Sequence, residues 1–120
     1  MTKKAILYHN PRCSKSREAL ALIKERGLEV EVVEYLKDPP SLETLEAIAQ
    51  KLGESAREMI RKKEAVFKER GFTDATPLAE VLKVMAEEPI LLERPLLVTE
   101  DGAAVGRPMK NIIALIEGRG

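Results

Sequence analysis

A chain of 120 residues is long enough for one hydrophobic core and too short for two ordinary ones, so a single domain over residues 1–120 is expected. Hydrophobic residues at 44% and charged residues at 33% set it apart from disordered chains, and twenty basic residues against twenty acidic ones leave no net field for general binding to nucleic acid or membranes. One cysteine excludes a disulfide framework, the apolar stretch after Met1-Thr2-Lys3-Lys4 is too short for a secretory leader, and no window approaches the roughly 18 continuous apolar residues of a membrane span; a reducing cytoplasm is the expected setting.

In chain order, Ala5-Ile6-Leu7-Tyr8 is a short apolar run that reads as a strand. Ser16, Ala19, Leu20 and Ile23 then repeat at helical spacing before Gly27, and Glu29 to Tyr35 alternates with β-branched residues. Strand, helix, strand with one crossover helix predicts parallel pairing and a right-handed connection. Asp38-Pro39-Pro40 breaks the chain, and Ser41 is placed to cap a helix whose apolar face is Leu42, Leu45, Ile48, Ala49 and Leu52, ending at Gly53. A second helical segment carries Ala56, Met59 and Ile60. A third opens at Thr76-Pro77, with Leu78, Val81, Leu82 and Met85 on one face. After Pro89, the segment from Pro95 to Thr99 reads as a strand, Glu100-Asp101-Gly102 as a tight turn, and Ala103 to Gly106 as its hairpin partner. Pro108 is expected to begin a last helix with Met109, Ile112, Ile113 and Ile116 as its core stripe. This order of elements is that of an α/β, thioredoxin-like fold with a helical insertion, approximately 41–88, between an N-terminal β-α-β unit and a C-terminal β-hairpin-α unit.

Cys13 lies between the first strand and the first helix, in Tyr8-His9-Asn10-Pro11-Arg12-Cys13-Ser14-Lys15-Ser16-Arg17. There a thiol faces backbone N–H groups and the positive end of the helix dipole, which with nearby cations lowers its pKa from about 8.5 to roughly 3.5–7.5. A lone cysteine is often small buried filler. One flanked by Arg12, Ser14, Lys15, Ser16 and Arg17 reads instead as a nucleophile. His9, the single histidine, is placed to help by charge or by a hydrogen bond, with a purely structural role as the other reading. The loop from Asn10 to Ser16 is suited to hold a phosphate-like anion beside the sulfur, and Arg61, Arg94 and Arg107 are cations able to complete such a pocket, since arginine grips oxyanions with two donors at once.

Redox counting adds a constraint independent of fold. With one cysteine in the chain, a two-electron reduction has no second internal thiol, so an outside thiol must close the cycle. Ser16 occupies the position where a CxxC pair has its second cysteine, which disfavours dithiol chemistry. One cysteine and one histidine cannot by themselves form a four-ligand zinc site, so no metal and no bound cofactor are expected.

The chain resembles the glutaredoxin-coupled arsenate reductases, the ArsC family. Beside the cysteine loop, the likeness rests on Tyr35-Leu36-Lys37-Asp38-Pro39-Pro40, Ile60-Arg61-Lys62-Lys63, the segment from Pro89 to Pro95, and Gly106-Arg107-Pro108. It implies Cys13 as the nucleophile, His9 in thiol activation, an oxyanion held by Asn10, Ser14, Ser16, Arg61, Arg94 and Arg107, and Pro95 as a cis-proline beside the site. It also implies arsenate as substrate, glutathione as reducing co-substrate and glutaredoxin as protein partner. Two other readings stay open: a glutathione-dependent thiol transferase or relative acting on another substrate, and a non-catalytic regulator resembling the Spx proteins that bind RNA polymerase. The three arginines weigh against the transferase, and Ser16 against a CxxC switch.

Overall fold

A computed structural model of the protein describes residues 4–118, so the reading of Met1-Thr2-Lys3 as part of no leader lies outside the described residues. One compact unit is made of the chain up to Asp38 together with the chain from Arg94 onward, and the other is Pro39–Glu93.

The first unit is a four-stranded sheet of β1 (Lys4–His9), β2 (Glu29–Glu34), β3 (Leu96–Thr99) and β4 (Ala103–Val105), in the order β2-β1-β3-β4. β1 and β2 run parallel, joined through α1 (Ser14–Glu25), while β1, β3 and β4 pair antiparallel. Gly27, at φ 72°, turns the chain out of α1 in a conformation that a side chain disfavours. Ala5 and Leu7 project from one face of β1 because strand side chains alternate, and they join Ala19 and Ile23 of α1, Leu97, Ala104, and Ile112 and Leu115 of α5 (Lys110–Ile116) in one core cluster. Ile23, Leu7, Leu97 and Ile112 are fully buried, and truncating such an aliphatic side chain to alanine costs about 2–5 kcal/mol. The architecture is thioredoxin-like.

The second unit holds α2 (Leu42–Leu52), α3 (Ala65–Glu69) and α4 (Leu78–Glu87). Ser41 caps α2 by accepting the Thr44 N–H at 3.2 Å, and Leu45, Ile48 and Ala49 of α2 are buried, as are Val81, Leu82 and Met85 of α4, which packs against it. Ala56 and Met59 lie on a 3-10 segment, Gly53–Met59, rather than an α-helix, because Ile60 leaves helical geometry to form an antiparallel bridge with Leu92. The prolines also sit earlier than expected. Pro77 is the N-cap of α4, and α5 starts two residues after Pro108, its buried face being Ile112 and Leu115 with Met109 and Ile116 packed at the margin. The peptide bonds Arg94–Pro95 and Arg107–Pro108 are cis. Among the described residues no helix is long and apolar enough to cross a membrane.

Gly106 locks the end of β4 to the start of β3. Its N–H donates to the Pro95 carbonyl at 2.8 Å, and a Cβ there would stand 2.6 Å from Ile112 Cδ1 and 2.8 Å from Pro95 Cγ. Gly106→Ala is therefore expected to destabilise the fold by about 1–3 kcal/mol, whereas Gly102→Ala, whose Cβ would meet only Leu115 Cδ1 at 3.4 Å, costs less. Urea unfolding of the two variants checks this; equal losses would show that the close approach at Gly106 is not what limits the position.

Candidate active site

The segment between β1 and α1 is tied into a closed loop by its own polar groups. Asn10 Oδ1 accepts the Arg12 N–H at 3.0 Å, the Asn10 carbonyl accepts the Cys13 N–H at 2.9 Å, and Ser16 Oγ accepts the Asn10 N–H at 3.3 Å. Arg17 reaches back from α1 to donate Nη1 to the Pro11 carbonyl at 2.8 Å. Ser16 is fully buried, so its hydroxyl is a structural tie inside the loop, while Ser14 stays exposed at the first turn.

These ties place Cys13 as the N-cap of α1, with extended backbone, its carbonyl accepting the Arg17 N–H at 3.1 Å. The thiol thus occupies the place where a capping oxygen ordinarily meets the unpaired N–H groups of the first turn. Burial pushes the thiol up, but the N–H of Ser16, the Arg94 guanidinium and the N–H of Lys15 outweigh it and hold the thiol down to about 7. Arg107 adds a second guanidinium: its Nη2 lies 3.5 Å from the sulfur, and its Nε donates to the Arg94 carbonyl at 2.8 Å. Residues at the two ends of the β3–β4 hairpin, Arg94 before β3 and Arg107 after β4, therefore converge on one sulfur.

His9, at the end of β1, is only 6% exposed. Burial lowers its pKa, with Glu34 opposing and Arg17 reinforcing the shift, so at neutral pH the imidazole is neutral and gives the sulfur no positive charge. Its Nδ1 is buried with no hydrogen-bond partner among the described residues. A cavity of about 410 Å³ is lined by His9, Asn10, Pro11 and Arg12 together with Glu34, the last residue of β2, and Leu36 and Lys37 just after it.

Arg61 belongs to the second unit. There the Arg61 N–H donates to the Leu91 carbonyl at 2.7 Å and the Glu93 N–H to the Met59 carbonyl at 2.8 Å, flanking the Ile60–Leu92 bridge. The guanidinium donates Nε to Glu64 at 2.8 Å and Nη1 to Glu93 at 2.9 Å, leaving its remaining N–H groups as further donors. Pro95 is buried at the start of β3. Sequence reasoning passed over Arg17 as the brace of the loop, and Glu64 and Glu93 as the partners of Arg61. Glu64 was findable, three residues from Arg61; Glu93, 32 residues away, was not. Among the described residues no group of three or more His, Cys, Asp or Glu is arranged to hold a metal ion.

A model of the ArsC family matches residues 8–115. The arsenate reductase of Neisseria meningitidis serogroup A is 48% identical over 112 residues, covering 92% of this chain and 96% of that one. An uncharacterized protein of Escherichia coli K12, YfgD, is 45% identical over 118 residues, 97% of this chain and 99% of its own. The structure of the arsenate reductase from Vibrio cholerae superposes with a TM-score of 0.85 at 39% identity, covering 94% of this chain and 98% of the other.

Alkylation of Cys13 by iodoacetamide is expected to rise with pH to half its maximum at about 7. Arg94→Ala should move that midpoint up toward roughly 8.5, the ordinary thiol value, whereas His9→Gln should leave it near the wild-type position because the imidazole carries no charge there. A midpoint unmoved by loss of Arg94 would remove that guanidinium from the stabilisation of the thiolate.

Proposed function

The chain belongs to the ArsC family, and from that footing we propose that it is an arsenate reductase whose nucleophile is Cys13. The observation that carries the reading is the Cys13 sulfur at the N-terminus of α1, where the first turn favours its thiolate and Arg107 Nη2 stands 3.5 Å away. A thiolate held among cationic donors is suited to meet a tetrahedral oxyanion, because the groups that favour its negative charge also screen it from the charge of the incoming oxygens.

Arsenate enters beside the loop from Asn10 to Ser16, with Ser14, Arg94 and Arg107 as donors; Arg61, which Glu64 and Glu93 hold within its own unit, is the further guanidinium that the family resemblance implies. The Cys13 thiolate attacks arsenic, an oxygen leaves as water after taking up two protons, and a sulfur–arsenic bond forms. Glutathione thiolate then attacks the Cys13 sulfur; the sulfur–arsenic pair moves onto arsenic, which falls from As(V) to As(III) and leaves as arsenite. The sulfurs are left as a Cys13–glutathione disulfide, and a thiol of glutaredoxin takes over the glutathione, returning Cys13 as thiol. One arsenate and two thiols thus give one arsenite, one disulfide and one water. His9, neutral at working pH, serves as a hydrogen-bonding group and not as a cation. The need for reduced glutathione fits a reducing cytoplasm.

The test is arsenate-dependent NADPH oxidation in the presence of glutathione, glutaredoxin and glutathione reductase. Cys13→Ser should abolish it, and Arg61→Ala should lower kcat/KM for arsenate by about 10–100-fold while leaving the Cys13 alkylation profile in place. Equal arsenate-dependent rates in wild type and Cys13→Ser would overturn the assignment.

A further inference from the structure

The cavity beside the cysteine loop has its own electrostatic design. Glu34 closes β2, and the turn after it is fixed by the Lys37 and Asp38 N–H groups, both donating to the Glu34 carbonyl at 2.9 Å. That turn holds the Lys37 ammonium 3.7 Å from Glu34 Oε1, with both side chains open to solvent, at 83% and 44% exposure respectively. Arg12 adds a second cation to the lining, and Leu36, 45% exposed, an apolar surface. His9 adds a ring more than nine-tenths buried, whose Nδ1 has no partner among the described residues.

Glu34 opposes a second arsenate in this space, because a carboxylate facing an oxyanion repels it and neutral His9 adds no cation. Two cations and one carboxylate instead match a ligand with two carboxylates and one ammonium. A γ-glutamyl tripeptide thiol has that complement, with ammonium and one carboxylate on a single carbon, a spacing suited to an opposite pair of side chains 3.7 Å apart. The volume of about 410 Å³ is in the range of small-ligand sites. Asn10 and Arg12, which line this cavity, belong to the same loop that carries Cys13.

We propose that this cavity is the subsite for the thiol co-substrate: Glu34 receives the ammonium of a γ-glutamyl thiol of the glutathione class, Lys37 the neighbouring carboxylate, Arg12 the distal carboxylate, and the buried His9 ring the peptide part. The role as co-substrate site rests on the reductase reading; the binding itself does not.

The test uses the whole chain, ¹⁵N-labelled, titrated with S-methylglutathione, which cannot react. The amides of Asn10, Arg12, Glu34 and Lys37 are expected to shift, and Glu34→Gln and Lys37→Gln, both at solvent-open positions, each to weaken binding about fivefold. N-acetylation of the ligand should weaken binding to the wild type by the same factor and have no further effect in Glu34→Gln. Shifts confined to other regions, or an affinity indifferent to both substitutions, would overturn the proposal. Arsenate turnover is read separately on the wild type. Turnover without binding at this cavity refutes the subsite and leaves the reductase reading; binding without turnover refutes the reductase reading while upholding the cavity as a site for γ-glutamyl compounds.

Discussion

A sulfur partly withdrawn from water favours its neutral form, and the site exists only because the first turn of α1 and the guanidinium of Arg94 overcome that preference. Other features of the unit follow from holding this balance in place. β1 carries the chain to the helix, the Ser16 hydroxyl and Asn10 side chain close the loop so that Cys13 is the cap residue, and Arg17 braces the loop from outside. Because the folded thiol sits below its ordinary value, the thiolate stabilises the fold above that ordinary value, and the contribution fades as the pH falls through about 7.

The hairpin is the second half of the device. Arg94 and Arg107 are 13 residues apart, and the antiparallel pairing of β3 with β4 folds that separation to a hydrogen bond of 2.8 Å between Arg107 Nε and the Arg94 carbonyl. Gly106 lets the two ends approach that closely, and Asn111 fastens α5 to the hairpin by donating to the Val105 carbonyl at 3.1 Å. A packing constraint at an uncharged residue beside Arg107 thus sets where the charges stand.

Much of this was legible in the sequence because it depends on local pattern. The period-2 and helical-period runs marked β1, α1, β2, α2, α4 and the hairpin, and a lone cysteine amid Arg12, Ser14, Lys15 and Ser16 marked the reactive position. What escaped depends on distant partners or on short segments with too few residues to show a period. α3 has 5 residues, and in the helical segment Gly53–Met59 the apolar spacing alone does not distinguish a 3-10 from an α-helix. The neutral state of His9 follows from its burial and from Arg17, against the opposing Glu34, and the pairing of Arg61 with Glu93 from the bridge between Ile60 and Leu92; neither is encoded near the residue concerned.

The lone cysteine gives the account its stoichiometry: one sulfur supplies one bond to arsenic, and a second thiol from outside must supply the other half of the disulfide. The direct measurement is a single turnover of the wild-type chain with limiting arsenate and glutathione, without glutaredoxin, followed by quantitation of arsenite and intact-mass analysis of the protein. The account predicts one arsenite for each chain that acquires a glutathione disulfide at Cys13, the two appearing together. Arsenite released while Cys13 remains unmodified and is not required, or glutathione attached to Cys13 at the same rate without arsenate, would contradict it.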